Sequence, residues 1–389
     1  MSYNTHIMPP PYSPLAYILA FVPWCILPFS PIATLLIALS FLYLLTFLAP
    51  SAFLRIVISL AIIISGAITY GNNTPCYSDA LNYYTTYHSI ARGDFSQIFA
   101  YGSGVEFLMP LYWCVISFFF DSLRCVDFLI LNSICAGILT LIWLEKYALK
   151  DTQARYATLC VFFVFCLFSF WTPTFLTRQL FACIFILFAL YQTSKYKTLI
   201  FVLLGFFCHT TAILFYVLFY CFRHYFKLSI IITLIVSLMI ASSSLFPTLI
   251  SNMKFIPDFL SHKLLYYDRV MDDAGRAVLK DSVFVCVLML LTAYYYKNID
   301  PKWRNIIIFY GILFLVSPIA SWNFSIRVGL FYHVIFGFLF FKTLENKLLY
   351  LYILAFVLLI DRFRTMIKMS ILKEGFYDLD GGWFYYLFN

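Results

Sequence analysis

The sequence predicts an all-α polytopic integral membrane protein, and three observations predict it. Of 389 residues, 63% are apolar and 11% are charged, whereas a soluble domain carries roughly 25% charged residues. The apolar residues run in long continuous blocks, without the roughly ten-residue segments of alternating polarity that mark an outer-membrane barrel, so the spans are helices. Lysines and arginines cluster in short stretches between the blocks, where they set orientation in a bilayer. The net charge of +8 is therefore a topological signal and does not point to nucleic acid.

The expected spans are 13–29, 32–48, 52–69, 126–143, 156–172, 179–193, 228–250, 282–296, 304–320, 325–341 and 347–361. Two further apolar stretches fit less simply. Phe107–Phe120 holds 14 residues, short of the ~20 that a crossing needs. Thr198–Phe222 holds about 25, but Gly205 and the run Cys208-His209-Thr210-Thr211 interrupt it. Counting both, about 11–14 transmembrane or re-entrant helices are expected. No internal repeat or low-complexity linker divides the chain, so residues 1–389 read as one domain, with sizeable outer-side loops at 70–105 and 251–281. The first charged residue is Arg55, and the Pro-rich start (Pro9, Pro10, Pro11, Pro14) reads as a short tail before an uncleaved span, not as a signal peptide. Most of the 11 cysteines, among them Cys114, Cys135, Cys160, Cys166, Cys183 and Cys286, fall inside apolar blocks, where they act as small hydrophobes. No Cys/His spacing suggests a metal site.

Orientation follows from the basic clusters Lys146/Lys150/Arg155, Lys195/Lys197, Arg223/Lys227, Lys297/Lys302/Arg304 and Lys342/Lys347, which the positive-inside rule places in the cytoplasm. Residues 70–105, 172–178, 251–281 and 321–327 then lie on the outer side. The parity closes only if neither 107–120 nor 198–222 crosses; the alternative is that 107–120 spans and one basic loop breaks the rule. Re-entrant backbone survives only where protein buries it or a wet cavity receives it. The basic tail after the last span (Arg362, Arg364, Lys368, Lys373) is left outside, against the rule.

Chemistry-bearing residues are few. Arg178 is the only charge between Arg155 and Lys195, and Arg327 the only one between Arg304 and Lys342. Each is either a side chain snorkelling to the interface or a ligand for an anion; guanidinium forks suit phosphate oxygens. No acid stands near either in sequence, and two such arginines on one side favour the second reading. His209 is either a neutral histidine bonded to a backbone carbonyl, Thr210 or Thr211, or, at the tip of a re-entrant segment, a neighbour of the arginines. Asp79, Tyr83 and Tyr87 share one helical face, and Glu106 opens the next apolar stretch. Rings beside a carboxylate suit a sugar, but tyrosines also form interfacial belts. The mixed-charge run 251–281, with Lys263 and Arg276, is either a solvated surface or a lid.

Taken in order, these features resemble a known family. Tyr77-Ser78-Asp79 followed by Tyr83-Tyr84, Glu106-Phe107, Arg178-Gln179 with Ala182, the Lys195/Lys197 turn, Phe207-Cys208-His209-Thr210-Thr211-Ala212, Arg327 with Tyr332, and the closing Trp383-Phe384-Tyr385-Tyr386 are similar to the EpsG-type branch of the bacterial Wzy polysaccharide polymerases, which build O-antigen and capsule. The chain departs from the pattern at Thr210 and Phe107, where a proline often stands, and at Tyr385-Tyr386, often a Pro-Tyr pair. The resemblance implies glycosyl transfer at the periplasmic face of the inner membrane, between repeat units carried on undecaprenyl pyrophosphate, with a chain-length regulator as a partner protein. It implies that Arg178 and Arg327 hold the pyrophosphate, that His209 or Asp79 activates or orients the acceptor, and that Tyr83, Tyr87, Glu106, Gln179, Tyr332, Arg276 and Lys263 contact substrate. No DxD-like motif is evident, so a metal-independent reaction without cofactors is expected. The rivals are a flippase of lipid-linked oligosaccharide, which would favour a polar midplane and repeat symmetry; another membrane transferase, such as an O-antigen ligase or an acyltransferase; and a structural membrane subunit.

Overall fold

Local sequence signals place the helix boundaries. Ser30 and Ser51 accept hydrogen bonds from Ala33 and Leu54 at the starts of their helices, and Pro31 and Pro301 occupy first-turn positions where no donor is needed. The computed structural model describes residues 14–47, 51–74, 76, 78–243, 272–319 and 322–372. Among these, seventeen α-helices and no strand are present. They are α1 (Pro14–Ile26), α2 (Pro31–Leu45), α3 (Ala52–Gly71), α4 (Ser78–Ala91), α5 (Gln97–Ala100), α6 (Leu108–Phe119), α7 (Cys125–Lys146), α8 (Ala157–Leu167), α9 (Thr172–Phe175), α10 (Thr177–Leu190), α11 (Lys195–Cys208), α12 (Ala212–His224), α13 (Phe226–Ser243), α14 (Asp272–Tyr294), α15 (Pro301–Val316), α16 (Trp322–Leu344) and α17 (Leu348–Leu372). Four stretches are long and apolar enough to cross a membrane by length and composition: Ala52–Gly71, Cys125–Lys150, Pro301–Ile319 and Ser325–Leu344. The chain is an all-α polytopic membrane protein.

The core runs along α8, whose side chains from Ala157 to Cys166 are all buried. Its partner α16 comes so close that a Cβ at Gly337 would meet the Phe163 backbone. On the outside, Leu199, Leu203, Leu234, Leu238, Phe356 and Val357 are exposed, a solution that needs lipid as solvent.

The bundle has two chemically distinct ends. At one, the basic clusters meet. Arg55 pairs with Glu145 at 2.6 Å, Arg223 donates to Leu190 O at 2.5 Å and faces the rings of Tyr191 and Trp303. Lys342 reaches Thr152 at 3.1 Å, and Asn346 bonds Asn298 O at 3.2 Å. The opposite end carries a Cys76–Cys125 disulfide. That bond adds to the reading of the cysteines: these two are cross-linked at the end opposite the basic clusters, while Cys114, Cys135, Cys160, Cys166, Cys183 and Cys286 are free thiols.

These contacts resolve the parity. Helices α3 and α7 are antiparallel neighbours, with Arg55 and Glu145 joined at the basic end and Cys76 and Cys125 at the other. Everything between them, α6 included, therefore starts and finishes on one side. Helices α11 and α12 likewise form a re-entrant hairpin. Arg223, at the end of α12, returns to Leu190, just before α11 begins, and the turn is His209-Thr210-Thr211. Each arm of 13–14 residues rises only about 20 Å, and both ends of the hairpin lie at the basic end.

Two other expectations change. The basic tail is no tail: α17 runs on to Leu372, and Arg362 is drawn inward, donating to Cys166 O, Phe168 O and Tyr70 Oη at 2.5, 3.1 and 2.9 Å. It caps carbonyls left without an intrahelical partner where α8 ends, the natural place for a cation. The expected loop 251–281 is helical from Asp272 on; residues 251–271 lie outside the described residues, as does the closing Trp383–Tyr386 segment.

Candidate functional site

At the end away from the basic clusters, four elements converge: α4, the turn Tyr101–Gly104 leading to Glu106, the start of α10, and the hairpin tip. Arg178, in the first turn of α10, forms an ion pair with Glu106. The second Glu106 oxygen accepts from Thr210 N at 3.0 Å and Thr210 Oγ1 at 3.2 Å. One carboxylate thus ties together segments that lie 72 and 104 residues away in sequence. Its side chain is 9% exposed and that of Arg178 is 22% exposed. The guanidinium lies 4.9 Å from the ring centre of Tyr101 and 5.5 Å from that of Tyr83, a cation–π cage. The approach needs Gly102, whose φ is +57° and whose added Cβ would lie 3.0 Å from Glu106 Cβ.

His209 sits at the hairpin tip, with Nδ1 3.9 Å from Glu106. That nitrogen accepts from Thr211 N at 3.3 Å and lies 2.8 Å from Thr211 Oγ1. An accepting Nδ1 leaves the neutral ring with its proton on Nε2. His209 is thus bonded to Thr211, and it is also the neighbour of the arginine cluster, as a re-entrant tip would make it.

Next to this knot lies a second, looser pair. Arg327 of α16 stands 3.9 Å from Asp79 of α4. Their side chains are 31% and 38% exposed. Gln179 donates to Arg327 O at 3.1 Å, which pins α16 to α10. Tyr83 joins the two pairs: its hydroxyl donates to Phe175 O at 3.2 Å, and it lies in the field of Arg178, Asp79 and Arg327. Burial pushes the phenols of Tyr83 and Tyr101 above their ordinary range, with the Arg178 cation opposing it, so both stay neutral.

Residues 56–380 match the sequence profile of the EpsG family. The chain belongs to the EpsG family. No curated protein and no solved structure matches it.

Within this EpsG-family chain, Asp79, Tyr83, Glu106, Arg178, Gln179, His209 and Arg327 are all brought to one place from five separate stretches of sequence. The arginines, isolated in sequence, both have acidic neighbours in space. Two tyrosines fall elsewhere. Tyr87 is buried against Phe128, with ring centres 4.9 Å apart, and donates to Phe120 O. Tyr332 is buried between Tyr310 and Phe336 and donates to Ile307 O at 3.3 Å. Both are packing residues here, their hydroxyls spent on backbone carbonyls. Lys263 lies outside the described residues, and so does the side chain of Arg276. Sequence reasoning missed Tyr101 and the role of Thr210. The turn signal Tyr101-Gly102-Ser103-Gly104 just before Glu106, and the need of a lone acid in an apolar stretch for a lone cation, were the available clues.

Proposed function

We propose that this chain is a polysaccharide polymerase that joins oligosaccharide repeat units carried on undecaprenyl pyrophosphate at the periplasmic face of the bacterial inner membrane. Membership of the EpsG family supports a polysaccharide-polymerase-like activity in general. Orientation is supported by the gathering of the basic clusters at one end and by a disulfide at the other, since such bonds persist in oxidising compartments.

The single observation that carries the chemistry is the difference in exposure and separation between the two arginine–carboxylate pairs. Arg327 and Asp79 are half-open and 3.9 Å apart, a loose pair that an incoming pyrophosphate can displace with two oxygens on the guanidinium fork. Displacement leaves the Asp79 carboxylate beside the acceptor hydroxyl. In the reaction that oxygen attacks the anomeric carbon of the donor chain. The bond from that carbon to the pyrophosphate oxygen breaks, its electron pair leaves with the pyrophosphate, and the acceptor proton passes to Asp79. Arg327 stabilises the charge growing on the leaving group. Arg178 and Glu106 act as positioning residues: each neutralises the other, and together they hold the hairpin tip, the Tyr101 turn and α10 in register. His209 has its Nδ1 committed to Thr211, so Asp79 is the better-placed base.

A gel of surface polysaccharide from the native host tests this. Deletion of the gene should collapse a ladder to a single-repeat band, and re-expression should restore it. A ladder that persists but leaves the surface, or loss of even the single-repeat band, would favour a ligase or a flippase instead.

A further inference from the structure

A second polar centre lies on the other side of α16. While Arg327 faces α4 and α10, His333 turns towards α14, where its Nε2 lies 3.4 Å from the Asp281 carboxylate. The two side chains line a cavity of about 220 Å³ together with Tyr70, Lys280, Asp361 and Arg362, its apolar walls including Phe284 and Phe336. Helix rise places it near the depth of Arg178 and about 9 Å from Arg327 along α16. Asp281 stands about 20 Å along α14 from Tyr294, and Arg362 about 21 Å along α17 from Leu348, while Arg178 is about 18 Å along α10 from Leu190.

The polar groups are used unequally. Arg362 spends its donors on Cys166 O, Phe168 O and Tyr70 Oη and so builds the floor. Among the described residues, the side chains of Lys280 and Asp361 make no hydrogen bond or close ion pair, although Lys280 lies in the field of Asp281 and Asp361 in that of Arg362. A phosphate is a poor guest here because two carboxylates line the same space. Donors and acceptors of both signs beside aromatic faces suit a neutral polyhydroxy ligand. The cavity is smaller than the roughly 300–1,000 Å³ of sites for drug-sized ligands, so it takes one or two sugar rings. Leu279, Val283 and Ile360, next in sequence to the lining residues Lys280, Phe284 and Asp361, are exposed apolar side chains, so the helices that build the cavity also present a lipid-compatible surface.

We infer that this cavity is a second carbohydrate subsite, which grips a sugar of the growing chain away from the bond being made. The inference rests on the polymerase reading. Because α16 separates the subsite from Arg327 and Asp79, losing it should shorten the product without stopping the first joining step.

The test uses His333→Gln, Asp361→Asn and Lys280→Gln in the full chain, with membrane abundance checked for each. In deletion cells the variants should give ladders cut to the first few repeats. In nanodiscs, binding of oligosaccharides of one to three repeats, cut from the host's own surface polysaccharide, should weaken at least tenfold. Ladders of normal length together with normal binding would overturn the inference. Complete loss of joining, as expected for Arg327→Ala, would place these residues in the reaction centre and overturn a separate subsite. Unchanged binding with polymerisation that responds only to an imposed proton gradient would make the cluster a proton relay instead. If even the native chain makes no ladder, the polymerase reading fails, and the nanodisc binding difference still decides whether a sugar occupies the cavity.

Discussion

Arg178–Glu106 and Arg327–Asp79 are neighbouring pairs built from the same two chemistries, yet their surroundings give them different work. The first is nearly enclosed, caged by two tyrosine rings and bonded to Thr210. The second is about one-third exposed on both partners and held at 3.9 Å. A buried charge whose partner is removed has no water to turn to, whereas an exposed one loses little. Under the proposed function, the enclosed pair serves as a structural clasp and the open pair is the one that exchanges its carboxylate for substrate.

Breaking the clasp should have the largest effect. Glu106→Ala strands the Arg178 guanidinium and two Thr210 donors, and by analogy with other broken buried pairs it should cost about 3–5 kcal/mol. Thermal unfolding in detergent and membrane abundance would both fall; an unchanged melting profile would remove the clasp interpretation. Opening the loose pair should act on turnover instead. Arg327→Ala should lower polymerisation by about 10²–10³-fold, the usual cost of losing a group that stabilises transition-state charge, at normal abundance. Arg327→Lys should recover only part of it. Full activity in the lysine variant would rule out bidentate phosphate recognition.

The disulfide offers a third contrast, because it staples the segment that supplies Asp79, Tyr83 and Glu106. Its ends lie 49 residues apart, and Cys125→Ser should lower stability by about 2–4 kcal/mol, read as a lower melting temperature that reductant reproduces in the native chain but not in the variant. The smallest effect belongs to Thr210. Thr210→Ala removes only the hydroxyl bond to Glu106, a hydrogen bond to a charged group worth about 1.5–3 kcal/mol. Thr210→Pro removes the N–H donor as well and should be the more damaging change in this chain. Equal melting temperatures for the two variants would mean the backbone donor contributes nothing.

Much of the architecture was legible in the residues themselves. Where they are described, the expected spans fall largely on helices, four of them in stretches long and apolar enough to cross, and the two stretches that fitted badly, 107–120 and 198–222, belong to segments whose two ends lie at the same end of the bundle. The site was legible in part. Glu106, Arg178, His209 and Arg327 stand out because a polar residue in or at the edge of an apolar stretch is costly and rarely idle, and Asp79 because it shares a helical face with Tyr83 and Tyr87. The tyrosines were not separable, since a phenol that packs (Tyr87, Tyr332) and one that lines a site (Tyr83) have the same local pattern. Tyr101 escaped notice because its value comes from the guanidinium 77 positions later that settles on it.

By itself the sequence determined the helices, their approximate ends and the separation of a basic end from the other, because hydropathy, capping and charge clustering act over a few neighbouring residues. Tertiary structure alone decided that the isolated arginines are paired, that Cys76 meets Cys125, that Arg362 caps α8, and that His333 meets Asp281 at the wall of a cavity. Each of these joins residues far apart in the chain. Such pairings are set by which helix faces pack together, and no local pattern encodes that.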